Sequence, residues 1–414
     1  MNVLYTFIIR SYRFAIQIAA LFHPKAKLWI NGRKNWSTRL ACDINPNEQW
    51  IWVHCSSIGE FEDCAEIIAA IRKQHHSSKI ILTFFSPSGM EAKGIHASAD
   101  YVTYLPIDTR SNAKQFLNLI NPTIILFSRS ELWYNFLSEI AKRKIPIFLI
   151  SALLDPSSKF IQWPQKKLYQ KCFNVFTQIY CQNNQTKELL EKHFNLYKST
   201  VAGNSRIDRV YKSYAEKEYE KVAEFIGNSF CVIVGSSLDI DEKMILRTMK
   251  KLNHLNIKWI IVPHEINEKK INQQVKMDAS TFIRFSTLET LTENHSVLYI
   301  DFVGGLKHLY QYANVAVIGG GFNRIGIHNI LEPTFHGIPT TFGPNHRNYP
   351  EAIELLNRNF AHIHHNQLEL QQLIENYYTN PIDDTMNNDI KHFIHSTVGA
   401  SNKIVADINE RVNS

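Results

Sequence analysis

Short apolar runs alternate along this chain with stretches whose apolar residues recur three and four positions apart, and they do so in both halves. In the first half, positions 50–54, 80–84, 123–127, 147–151 and 179–181 predict strands, with helices fitting between them. The second half restarts the pattern at 230–235, 259–263, 296–300, 315–318 and 339–342. Strand and helix in alternation predict parallel sheets covered on both faces, hence an α/β architecture of two doubly wound domains. At 414 residues the chain is long enough for two cores.

The pattern also sets boundaries. Residues 1–22 predict a separate helix, 23–205 the first domain and 229–395 the second. The charged, weakly apolar stretch 206–228 predicts a linker with a surface helix, and 396–414 a C-terminal helix. There is no sequence repeat. The Asn- and His-rich region near 357–395 is a compositional bias over helical segments.

Charge changes the picture at one end only. The net charge is +7 with 45 basic and 38 acidic residues. Seven of the basic residues, Arg10, Arg13, Lys25, Lys27, Arg33, Lys34 and Arg39, lie in 1–42, which holds no acidic residue, so the rest of the chain is balanced at 38 against 38. An anionic surface met by the N-terminus fits this better than a nucleic-acid coat, and no basic stripe with interleaved aromatics appears elsewhere. The longest uncharged run there, 14–24, has 11 residues, against the roughly 20 that a membrane span needs. On a helical wheel Asn2, Thr6, Arg10, Arg13 and Gln17 form one stripe, with Leu4, Phe7, Ile8, Tyr12, Ile16, Ile18 and Phe22 elsewhere. That arrangement suits a helix lying in a membrane interface, and docking onto the protein's own core is the alternative. The six cysteines, at 42, 55, 64, 172, 181 and 231, show no CxxC pair and no metal spacing, as expected of reduced thiols.

The candidate chemistry sits at predicted strand ends. After 315–318 come Gly319, Gly320 and Gly321, then a helix start at Asn329 to Pro333. Glycines let backbone N–H groups approach an anion, so the turn predicts a phosphate cradle. No Gly-Lys-Ser/Thr follows, and the spacing misses the dinucleotide fingerprint. Asn329 and Glu332 fit either a helix cap or a carboxylate that receives the hydroxyls of a ribose. After 50–54 the run Cys55-Ser-Ser-Ile-Gly-Glu60 puts Glu60 in a first helical turn, where the helix dipole keeps a carboxylate ionised and able to accept a proton. Glu131 follows 123–127 beside an aromatic, so two carboxylates are expected on one face. Arg206, which follows a further predicted strand at the domain edge, is a candidate for a phosphate or sugar carboxylate, and His264, after 259–263, for a phosphate.

In this order the segments resemble the 3-deoxy-D-manno-octulosonic acid (Kdo) transferases of Gram-negative lipopolysaccharide synthesis. The likeness rests on Ser57-Ile-Gly-Glu60, Thr83-Phe-Phe-Ser-Pro-Ser-Gly89, Leu105-Pro-Ile-Asp108, Ser130-Glu-Leu-Trp133 with Asn135, Gly203-Asn-Ser-Arg-Ile-Asp208, Val262-Pro-His264, His328-Asn-Ile-Leu-Glu-Pro333, Gly343-Pro344 and Asn348. It implies a GT-B fold whose two Rossmann-like domains face a central cleft, the first binding acceptor and the second CMP-Kdo. The implied reaction is inverting transfer of Kdo to a lipid A precursor of the lipid IVA type, at the cytoplasmic face of the inner membrane. No metal and no cofactor are implied, and no nucleic-acid partner. Carried over by position, Glu60 is the implied general base, and Glu131 and Arg206 the acidic and basic groups that stabilise the transition state. Pro263 and His264, the segment Val303, Gly304 and Gly305, and Asn329, Ile330, Leu331 and Glu332 match the CMP-binding segments.

The chain departs from the family at three places. Pro263-His264-Glu265 stands where the family usually has Pro-Arg-His, so a titratable cation replaces a permanent one. Arg129-Ser-Glu-Leu-Trp-Tyr-Asn135 replaces Glu-Thr-Glu-Leu-Trp-Pro-Asn, and Gly319-Gly-Gly321 replaces Gly-Gly-Ser. The alternatives are another GT-B transferase or a nucleotide-sugar epimerase with a different donor, or a non-catalytic membrane-associated paralogue.

Overall fold

The computed structural model describes all residues except 1, 93, 159, 162–165, 215–216, 324–325, 348 and 414, with side chains described from Tyr5 onward. Asn348 of the family pattern and the side chains of Asn2 and Leu4 therefore lie outside the described residues. The chain divides into a first unit of residues 1–209 with 397–414, and a second of 210–396.

The first unit holds a seven-stranded parallel sheet of β1 (Trp50–Cys55), β2 (Lys79–Phe84), β3 (Tyr101–Tyr104), β4 (Pro122–Ser128), β5 (Ile147–Ala152), β6 (Gln178–Cys181) and β7 (Ser199–Val201), in the order β3-β2-β1-β4-β5-β6-β7. All six residues of β1 are buried, as are all six of β5. That continuous burial is what a sheet covered on both faces requires, because side chains pointing either way meet helices. On one face Trp52 packs edge-on or tilted against Phe116, Phe127 and Phe136, with ring centroids 5.0 to 5.6 Å apart. On the other lie Val53, Ile67, Leu82 and Ile150. The order reverses at β1, whose neighbours are β2 and β4. Sheets of this kind place their crevice at such a reversal, beyond the carboxyl ends of the strands.

The second unit repeats the plan with β8 (Phe230–Ser237), β9 (Ile257–Pro263), β10 (Phe282–Arg284), β11 (Val297–Tyr299), β12 (Val315–Ile318), β13 (Thr340–Phe342) and β14 (Ala361–Ile363), in the order β10-β11-β9-β8-β12-β13-β14. Its reversal falls between β8 and β12, where Ile318 lies opposite Gly235. Three strands, β3, β10 and β14, go beyond those the hydrophobic pattern predicts. Each is an edge strand of three or four residues, too short to show a period.

The boundaries also differ from the predicted ones. The stretch 206–228 is helical over Ser205–Ser213 and Glu220–Ile226, and the division falls after Arg209. The helix Ala400–Asn413 belongs to the first unit, where Ile404, Val405 and Ile408 enter the core. Asp208 fixes its start by accepting from the Gly399 and Ser401 amides at 2.6 and 2.7 Å, a carboxylate placed where the helix dipole favours negative charge.

The first helix, Asn2–Ala19, docks by one stripe. The Tyr5 hydroxyl donates to buried Asp108 at 2.6 Å, and Tyr12 meets the rings of Trp29 and Phe85. A second apolar stripe is left over: Phe7, Ile8, Phe14 and Ile18 are exposed on the helix, Phe14 by 64%, as are Leu21 and Phe22 on the turn that follows, Phe22 by 85%. Among the described residues no helix is long and apolar enough to cross a membrane.

Candidate active site

The first unit gathers its chemistry at the ends of β1 and β4. β1 leads through Ser56 and Ser57 into the helix Ile58–Gln74, with Ser57 at the capping position and Glu60 in the first turn. The Ser57 hydroxyl donates to Glu60 Oε2 instead of receiving a helix amide. Glu60 is half-buried, with the Ser57 hydroxyl and the helix start beside it.

Beside it, Glu131 follows β4 on a turn in which Arg129 adopts φ +52° and the Glu131 amide donates to Ser128 O at 3.2 Å. A left-handed arginine is uncommon, and such backbone persists where its surroundings over-determine it. The Trp133 indole N–H donates to Glu131 Oε2 at 2.8 Å, with His54 Nε2 2.9 Å from the indole nitrogen. His54 is fully buried, with Nε2 3.4 Å from Glu131 Oε2 and Nδ1 2.9 Å from Thr83 Oγ1. Burial alone pushes the Glu131 carboxyl up, but hydrogen bonding and charge from His54, then bonds from Ser56 and Trp133, outweigh it and hold the group below its ordinary value. Glu131 is thus an ionised carboxylate in a largely apolar setting.

Arg206 is not a lone cation. From the helix Ser205–Ser213, its Nη2 donates to Glu62 Oε2 at 3.0 Å and its Nε lies 3.3 Å from Asp63 Oδ1. Asp63, 1% exposed, takes Arg129 Nε on its other oxygen at 2.5 Å. Two arginines from distant segments are therefore tied to one buried carboxylate, which orients both and partly neutralises them. His54, Asp63 and Arg129 were not singled out by sequence. The one available signal was their place beside Glu60 and Glu131, since a histidine inside an apolar strand and a charge in a first helical turn are unremarkable alone.

In the second unit the glycine turn differs from the expected cradle. Gly319 N–H donates to Gly235 O at 2.8 Å, Gly320 N–H to Asp241 Oδ2 at 2.9 Å and Gly321 N–H to Gly326 O at 2.9 Å. All three amides are satisfied within the protein and are not offered to a phosphate. The glycines serve close packing instead: a Cβ on Gly319 would stand 2.2 Å from Ser236 O, and one on Gly320 2.4 Å from Gly326 O. The helix that follows, Leu331–Phe335, has only five residues, so it adds little dipole.

The other residues of that unit divide by exposure. Ile330 and Leu331 are core side chains, so only their backbone is open to a ligand. Asn329 Oδ1 accepts from the Leu331 amide at 3.0 Å while its Nδ2 donates to Glu332 Oε1 at 3.1 Å. That is an Asx turn just ahead of the helix, whose capping residue is Ile330, with Asn329 orienting the carboxylate. Burial raises the Glu332 carboxyl against the smaller opposing effects of Asn329 and Lys307. Pro263 ends β9, and His264, exposed, stacks on His328 with ring centroids 4.4 Å apart. Burial first and His264 second bring His328 down to about 4. Val303 is 90% exposed on a turn where Gly304 has φ +92°, followed by Gly305.

The family model described as 3-deoxy-D-manno-octulosonic-acid transferase (kdotransferase) matches residues 34–209, the segment that carries Glu60, Glu131 and Arg206. The chain is a relative of the Kdo transferases. The Kdo transferase of Aquifex aeolicus is 29% identical over 75% of this chain and 80% of its own length, and that of Haemophilus influenzae 25% over 75% and 74%. A bifunctional glycosyltransferase/methyltransferase of Fusobacterium nucleatum is 28% identical over 85% of this chain, which spans about half (55%) of that protein. Among solved structures, the UDP-GlcNAc 2-epimerase of Neisseria meningitidis bound to UDP-GlcNAc aligns with a TM-score of 0.60 at 15% identity, covering 87% of this chain and 100% of its own. A glycosyltransferase from Rickettsia africae aligns at 0.56 and 14%, covering 89% and 99%. These likenesses show the GT-B fold, and the Kdo transferase relatives support a glycosyltransferase.

Proposed function

We propose that the chain transfers Kdo from CMP-Kdo to a lipid A precursor of the lipid IVA type, with inversion and without a metal ion, at the cytoplasmic face of the inner membrane. The observation that carries this reading is Glu60, held by Ser57 at a helix start within the segment matched to the Kdo transferases. Glu60 takes the proton of the acceptor's sugar hydroxyl as its oxygen bonds to the anomeric carbon of Kdo. The bond from that carbon to the CMP phosphate oxygen breaks, and CMP leaves with the electron pair. Glu131, ionised, stabilises positive charge developing on the sugar, and Arg206 the departing negative charge. CMP carries a single phosphate, so one or two cations suffice for it. Pro263, His264, the turn Val303 to Gly305 and the segment Asn329 to Glu332 receive the nucleotide, with Glu332 on the ribose.

The exposed apolar stripe of the first helix, within a stretch of excess basic charge, supports membrane contact. Apolar area and cationic charge add in binding to an anionic surface. The test is incubation of purified protein with a tetraacyl lipid A precursor and CMP-Kdo generated in situ. Mass additions of one or more Kdo units are expected. No addition, with an active reference enzyme in parallel, would move the assignment to another donor or acceptor.

A further inference from the structure

The first unit contains a cavity of about 240 Å³ whose wall includes Arg13, Trp29, Arg33, Lys34, Trp36 and Asn112, and among the described residues no carboxylate lines it. Its volume is below the roughly 300–1,000 Å³ of sites that enclose a whole drug-sized molecule. It fits a headgroup.

Arg33 is the unusual member. Only 8% exposed, it donates from Nε to Leu105 O at 2.9 Å, from Nη1 to Trp29 O at 3.1 Å and from Nη2 to Phe85 O at 2.8 Å. Its guanidinium lies 4.0 Å from the Trp29 ring, 4.7 Å from Tyr104 and 5.0 Å from Phe85. Among the described residues it forms no ion pair with a carboxylate. The nearby Asp108 carboxylate is turned elsewhere, accepting from Tyr5 and from the Asn135 and Phe136 amides. Taking a charge out of water costs several kcal/mol, and buried charges are ordinarily paired. Carbonyl acceptors and aromatic faces offset part of that cost. Burial brings the group down to about 9, the direction expected of a cation short of an anion. Arg13 and Lys34 add two more positive charges at the cavity, with no acidic residue in its lining among the described residues.

We infer that this cavity binds the phosphate of a membrane lipid headgroup. Arg33 forms its floor, Arg13 and Lys34 its rim, and the acyl chains lie along the exposed stripe of the first helix. A lipid is favoured over a free anion because Arg13 and Gln17 line the cavity from the same helix that leaves Phe7, Phe14 and Ile18 exposed. The inference rests on the membrane contact proposed above, and assigns it a site.

Isothermal titration of the full chain with dihexanoylphosphatidic acid below its micelle concentration tests this, with inorganic phosphate as the second ligand. One saturable lipid site is expected, weakened at least tenfold by Arg13→Glu with Lys34→Glu, and phosphate alone should bind at least tenfold more weakly. Absence of saturable binding, or binding unchanged in the double variant, overturns the inference. Equal affinity for inorganic phosphate also overturns it, in favour of a free-anion site. Gln17→Glu, at another exposed position on the wall, carries the same expectation if the double variant does not fold. Flotation on vesicles of digalactosyldiacylglycerol, a neutral lipid without phosphate, measured on the same variants, reports the apolar stripe separately. Flotation kept while lipid titration is lost separates failure of the pocket from failure of membrane contact.

Discussion

His54 Nε2 lies 3.4 Å from Glu131 Oε2, the oxygen that also takes the Trp133 indole N–H at 2.8 Å. The buried imidazole is therefore a positioning residue for the carboxylate. Removing it leaves burial, which raises the Glu131 carboxyl, opposed only by Ser56 and Trp133. In His54→Ala the acid limb of the transfer rate against pH is expected to move to higher pH, because Glu131 then takes up its proton earlier. The variant should also lose about 2–4 kcal/mol of stability as a truncated core side chain. A rate–pH profile with an unmoved acid limb would remove His54 from this role.

Stability itself should depend on pH through the second unit. His364, buried and 2.8 Å from Thr341 Oγ1, is brought down to about 4 by burial. In the unfolded chain an ordinary imidazole takes a proton near 6.5. As pH falls from 6.5 towards 4 the unfolded state binds a proton that the native state does not, so stability is lost across that window, by roughly 3 kcal/mol for this one group. His328 acts in the same direction. Urea midpoints from pH 7.5 to 4 should fall less steeply for His364→Gln than for the parent, and parallel curves would contradict the assignment.

The glycine turn separates packing from conformational effects. Gly319 has no room for a Cβ against Ser236 O, whereas Gly304, at φ +92°, has nothing within 4 Å. Gly304→Ala should cost about 1–2 kcal/mol through its backbone angle alone. Gly319→Ala must move the end of β8 and should cost more and weaken nucleotide binding. Chemical denaturation with CMP titration checks both, and equal costs would contradict the packing account.

That turn also shows where sequence was sufficient and where it was not. The strand–glycine–helix order was legible, because three adjacent glycines after an apolar run mark a tight turn. Which groups the amides would face was not, because Asp241 lies 79 positions from its partner Gly320. Glu60, Glu131 and Arg206 were found from strand ends and motif order. Asp63 was hidden among acidic neighbours on the same helix, and only the fold brings Arg129 and Arg206 to it. The edge strands β3, β10 and β14 escaped for a simpler reason, being three or four residues long.

Membrane association should follow the exposed stripe of the first helix. Deleting residues 1–22 would also remove the Tyr5 bond to Asp108, so Phe14→Ser with Phe22→Ser is the cleaner change. Flotation on vesicles with anionic lipid should drop several-fold in the double variant, with an unchanged urea midpoint. Undiminished flotation would place the contact elsewhere.

The central claim is that Glu60 takes the acceptor's proton, and single-turnover Kdo transfer by Glu60→Gln tests it most directly. Glutamine keeps the size of the side chain and a partner for Ser57 but cannot accept the proton. The expected result is a rate about 10²–10⁴-fold lower, with the KM for CMP-Kdo and for the lipid acceptor within a few-fold of the parent. A variant that transfers Kdo at the parent rate would contradict the account.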